Sequence, residues 1–153
     1  MVELLLATAL MSGFLVVLTT IFGSALEMQS ENQASSAVTQ DGRFILARLS
    51  YDIQRSSAVT TPASLGASGS TLAVTISAVS NTYSVVSGNL QVVNGAGTTN
   101  LNGSATTISA FTVQRLGNAG GKDTIKLSFT VTSKVLDKGA AKSQTFSTTV
   151  GRR

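Results

Sequence analysis

Glu3 is the residue whose setting most constrains chemistry. It stands alone ahead of Leu4–Phe22, LLLATALMSGFLVVLTTIF, a run of 19 residues without Lys, Arg, Asp, Glu, Asn, Gln or His, and the next charge is Glu27. A carboxylate costs roughly 2.5–3.5 kcal/mol deep in a membrane and less near its edge. Such a group has two ways to be satisfied. It can pair with a cation brought by another chain, or it can sit among headgroups and water. Either way its chemistry is ion pairing rather than turnover.

Other reactive groupings are missing from the sequence. The chain has no histidine and no cysteine, so thiolate and imidazole chemistry is ruled out and any metal site would be all oxygen. Its seven acids are dispersed and form no ligand cluster, which also disfavours the paired carboxylates of glycoside chemistry. Serines abound without a base to activate them. The glycine-bearing turns Asn94–Gly97 and Gly117–Gly121 do not open a helix and so do not cradle phosphate. The expectation is a non-enzyme without cofactor or metal.

Charge is divided unevenly. Residues 1–42 carry Glu3, Glu27, Glu31 and Asp41 and no base. Residues 43–153 carry all eleven Lys and Arg against Asp52, Asp123 and Asp137, a net +8. Arg115, Lys122, Lys126, Lys134, Lys138 and Lys142 are the candidate contacts for an anionic partner. They do not form a run, which argues against nucleic acid as the partner.

These groups need elements to hold them. A helix over Val2–Phe22 would be about 32 Å long, enough for a bilayer core of about 30 Å. No basic stretch precedes the run, it exceeds an ordinary signal-peptide core, and it reads as a retained anchor rather than a cleaved signal. Beyond it, Ala34, Val38, Gly42, Ile45, Leu49 and Ile53 recur every three or four residues, one stripe of an amphipathic helix. With no proline before Pro62, the spacing predicts one helix to about Arg55, on the order of 80 Å long. A break at Asp41–Gly42 is the alternative, and Gly42 on the apolar stripe suits close approach to a sheet.

After a small-residue segment, Ser56–Ser70, the pattern turns to period two. Thr71–Ser77, Thr82–Val86, Asn89–Val93, Ile108–Leu116, Thr124–Ser133 and Gln144–Val150 read as strands. Ser87-Gly88 is a hairpin turn, and the one-residue slip between Ile108–Ala110 and Phe111–Val113 suggests a bulge. In Thr124–Ser133, Ile125, Leu127, Phe129 and Val131 point inward. The expected fold class is α+β: a long N-terminal helix, half membrane and half amphipathic, packed on a mostly antiparallel sheet. Its parts are residues 1–26 as membrane or filament-core helix, 27–56 as amphipathic continuation, 57–70 as linker and 71–153 as β-rich head.

VELLLATALMSGFLVVLTTIF, the polar helical extension and the β-rich remainder together resemble the type IV pilin and type II secretion pseudopilin superfamily. Met1-Val2-Glu3-Leu4-Leu5 matches the end of that family's N-terminal methylation motif, Phe-Thr-Leu-Val-Glu-Leu. Tyr83–Leu116 and the closing FTVTS and QTFSTTVGRR look most like minor pilins of the PilW and GspJ kind. The resemblance implies a single-pass protein of the bacterial inner membrane that passes into a filament. It implies other pilin subunits as partners, and a prepilin peptidase whose Gly-Phe cleavage motif would lie just before Met1. It assigns Glu3 to assembly, pairing with the N-terminal ammonium of a neighbouring subunit. Leu4, Leu5, Leu6, Leu10, Phe14, Leu15, Val16, Val17, Leu18, Ile21 and Phe22 would form the filament core. The other function class is a membrane-tethered binding module, an adhesin or DNA-capturing tip subunit using the basic head.

Overall fold

The computed structural model describes residues 1–118, 120–137 and 140–153. One helix, α1, runs unbroken over Val2–Arg55, through Gly13, Gly23 and Gly42. Each glycine costs roughly 1 kcal/mol against alanine in a helix interior, too little to break so long a helix once its second half is packed. The helix stops where Ser56 turns to extended backbone, and the Ser56 hydroxyl donates to the Ile53 carbonyl at 2.7 Å.

Nine strands follow: β1 Ala58–Thr61, β2 Ser68–Gly69, β3 Thr71–Ile76, β4 Val79–Val86, β5 Asn89–Asn94, β6 Gly97–Asn100, β7 Thr106–Leu116, β8 Thr124–Asp137 and β9 Ala140–Gly151. They form two antiparallel sheets, ordered β1-β3-β4-β5-β6 and β2-β7-β8-β9. The reading of a helix on antiparallel strands holds, with the strands divided between two sheets. The segment read as a linker contributes β1 and β2, edge strands whose order comes from pairing with β3 and β7 rather than from their own small side chains.

The hairpins obey local turn chemistry. Ser77-Ala78 joins β3 to β4 and Ser87-Gly88 joins β4 to β5, each a two-residue loop with positive φ at both positions. Gly88 takes its left-handed value, φ 76°, without a Cβ to strain it. The bulge expected in β7 lies between Ser109 and Thr112, with Ala110 at φ 50°.

The core is where α1 meets β8 and β9. The whole predicted stripe, Ala34, Val38, Gly42, Ile45, Leu49 and Ile53, is buried. So are Ile125, Leu127, Phe129 and Val131, the inward set of β8. Phe129 stacks on Phe146 of β9 with ring centroids 5.7 Å apart. Leu72, Val74, Tyr83 and Leu90 of the other sheet join the same core. Gly42 is required here: a Cβ at that position would stand 2.2 Å from the Phe146 ring.

Candidate functional site

The candidate site is the first half of α1, which the head leaves bare. Leu4, Leu5, Leu6, Leu10, Phe14, Leu15, Val16, Val17, Leu18, Ile21 and Phe22 are all exposed, and none of the apolar span is buried within the chain. The helix is long and apolar enough to cross a membrane. A fully buried large apolar side chain contributes about 1.5–3 kcal/mol. Even discounted for partial contact along the helix, these eleven residues leave on the order of 10 kcal/mol of burial that only another body can supply.

The hydroxyls in this span do not spoil its apolar surface. Thr8 donates to the Leu4 carbonyl at 3.0 Å, Thr19 to Leu15 at 2.6 Å, Thr20 to Val16 at 2.7 Å and Ser24 to Thr20 at 3.1 Å. Ser12 donates to Ala9 at 2.9 Å. Each hydroxyl is satisfied by its own helix, one turn back, and presents its methyl or methylene outward. Such a surface suits hydrocarbon or a packed neighbouring helix equally.

Glu3 lies in the first turn of α1 and is exposed. The helix has no side-chain cap at Met1, so its free N–H groups and dipole favour a carboxylate there. No basic side chain of the described residues pairs with Glu3.

The second half of α1 meets the head through two acids that sequence reading did not single out, buried Asp52 and half-buried Asp41. Asp52 accepts from the Tyr83 hydroxyl at 2.5 Å and from Arg48 Nε at 2.8 Å. Tyr83 is fully buried, and its phenol is held well above the usual range, first by desolvation and then by the hydrogen bond to Asp52 and the charge of Asp52. The carboxylate in turn pushes the Arg48 guanidinium up. Eleven positions earlier, Asp41 accepts from the Gly103 amide at 2.9 Å and from Thr106 Oγ1 at 2.5 Å. The signal was available: Asp52 interrupts the apolar face beside Leu49 and Ile53, and an acid there needs a donor.

The basic residues expected to meet an anion are placed apart. Arg115 serves the fold: its Nε pairs with Asp123 at 2.9 Å, and its Nη1 donates to the carbonyls of Val59, Pro62 and Ala63 at 3.1, 3.2 and 2.7 Å. It ties the small-residue segment to β7. Lys122, Lys126, Lys134 and Lys142 are exposed. Lys126 and Lys134 are eight residues apart on β8, about 27 Å of extended chain. Lys142 stands 3.8 Å from Glu31. Lys138 lies outside the described residues. Among the described residues no group of acids forms a cage for a metal ion. No protein family, curated protein or solved structure gives a significant match to this chain.

Proposed function

We propose that this protein is a structural subunit, a minor pilin or pseudopilin, of a type IV pilus or type II secretion pseudopilus. The observation that carries this reading is the bare half of α1, an apolar rod with a single carboxylate at its tip and no partner for either among the described residues. Before assembly the rod sits in the inner membrane. In the filament the same surface packs against other subunits, and Glu3 is neutralised by the terminal ammonium of a neighbour. A buried carboxylate is expensive without a counter-charge, so that pairing favours one axial register over all others. The β head, held by Asp41 and Asp52, faces outward.

The test is fractionation of cells making the full chain. Wild type is expected both in membranes and in sheared filaments, and Glu3→Ala in membranes only. Normal entry of Glu3→Ala into filaments, or wild-type protein found only as a membrane monomer, overturns the proposal.

A further inference from the structure

Among the described residues the two sheets end in four edge strands, and one is unlike the others. β1 is four residues long and bulged between Val59 and Thr61, β2 has two residues and β6 has four. β9 has twelve, and its pairing with β8 runs without a shift from Gly151 back to Ser143. That stretch, SQTFSTTVG, holds no charge and no proline. Edge strands are ordinarily kept short, bulged, charged or proline-bearing, so that no other strand adds to them. Beyond Lys142, β9 has none of these protections.

The unpaired groups on that edge follow from the ladder. The Arg152 amide donates to the Asp123 carbonyl at 2.9 Å, which makes these two a hydrogen-bonded pair. Such pairs alternate, so Gln144, Phe146, Thr148 and Val150 bond to β8. Ser143, Thr145, Ser147, Thr149 and Gly151 turn their N–H and C=O groups outward. The hydroxyls of Thr130 and Thr145 lie 2.9 Å apart and those of Thr132 and Ser143 3.0 Å, the close side-chain approach of non-hydrogen-bonded pairs. Among the described residues no turn, loop or cap bonds to the outward backbone groups. They form a row of donors and acceptors repeating every ~6.7 Å, a row that an extended backbone matches. There is room beside it. β9 follows α1 in the same direction, with Lys142 near Glu31, Phe146 against Gly42 and the Arg153 amide on the Gln54 carbonyl. By helical phase, Ser35 and Thr39 stand on the Gly42 flank of α1, away from Asp41 and Asp52. An open groove of about 610 Å³ lies on that flank, lined by Asn32, Ser35, Ser36, Thr39, Gln40 and Arg43.

We propose that the free edge of β9 takes an extended, uncharged, proline-free segment of a different protein as an added antiparallel strand, its inner side chains toward the Ser35–Thr39 groove. A second copy is a poor source of that strand. Copies sharing a membrane or filament point the same way, so their β9 strands would run parallel, the weaker pairing. Their other edges are only two to four residues long. Setting the second copy aside in this way rests on the membrane and filament reading above.

A probe comes from the chain itself, because β8 is the antiparallel neighbour that β9 already accepts. Amide hydrogen exchange of the full chain in detergent is expected to be fast at Thr145, Ser147 and Thr149 and slow at Phe146 and Thr148. A synthetic peptide of residues 124–133 is expected to slow the three fast amides about tenfold. The same peptide carrying Leu127→Pro and Ser128→Pro is expected to leave them fast. No slowing by the first peptide, or equal slowing by the second, overturns the proposal. Slow exchange at the three amides before any peptide is added overturns it too. If that protection fades on dilution, a second copy holds the edge, and the filament reading stands. Loss of wild-type chain from sheared filaments bears on the filament reading alone and leaves the peptide result as the measure of the edge.

Discussion

The two halves of α1 differ in how their large apolar residues are arranged and in what covers them. Ala34, Val38, Ile45, Leu49 and Ile53 are buried by β8, β9 and their neighbours. Leu4 to Phe22 is covered by none of the described residues. The difference lies in the pattern around the apolar residues. In the second half, Gln, Ser, Arg and Glu occupy most of the other faces, so the apolar side chains gather mainly on one stripe, which the two sheets of the head bury. In the first half the apolar residues go all the way round, and no single sheet can cover a helix on every side. A surface of that kind needs lipid or several neighbours.

Paired substitutions sharpen this contrast. Phe129→Ala removes a fully buried ring stacked on Phe146 under the second half of α1. It is expected to cost about 3–5 kcal/mol of head stability, read by denaturant unfolding in detergent. Phe14→Ala removes a ring that is 65% exposed, and is expected to leave the same transition within about 0.5 kcal/mol while lowering entry into filaments. Equal effects on unfolding would break the distinction between the halves.

Next in size is Asp52→Ala, which leaves the buried Tyr83 hydroxyl without an acceptor. A loss of about 1–3 kcal/mol is expected in the same unfolding measurement. The smallest effect is a pH dependence. Tyr83 has its phenol raised in the folded state, so the stabilisation from keeping it protonated is complete below the ordinary tyrosine value of about 10. It is lost as pH rises above that value, because the unfolded chain ionises first. Unfolding curves from pH 9 to 11 are expected to show falling stability in wild type and a flatter dependence in Tyr83→Phe. An unchanged slope would show that Tyr83 is not the group responsible.

Much of the fold was legible in the sequence because its signals are local. The stripe from Ala34 to Ile53, the alternation of Ile125 to Val131, the Ser87-Gly88 turn and the bulge near Ala110 each follow from side-chain spacing or backbone preference. What could not be read depends on contacts between distant residues. Ala58–Thr61 has no strong strand signal and is ordered by β3. The division into two sheets follows from β7 pairing with β2 and β8 while β5 pairs with β4 and β6. Arg115 looked like a surface cation because its acceptors, Val59, Pro62 and Ala63, are more than 50 residues away. The apolar half of the candidate site was plain from composition.

The two acid clamps on α1 have a mechanical consequence. Asp41 grips the loop leading into β7 and Asp52 grips β4, so the helix is fastened to both sheets at points about 16 Å apart along its axis. One fastening would let the head swivel about the rod; two resist torsion. Load drawn along the helix then reaches the head as straight pull, shared among the two clamps and the buried stripe between them.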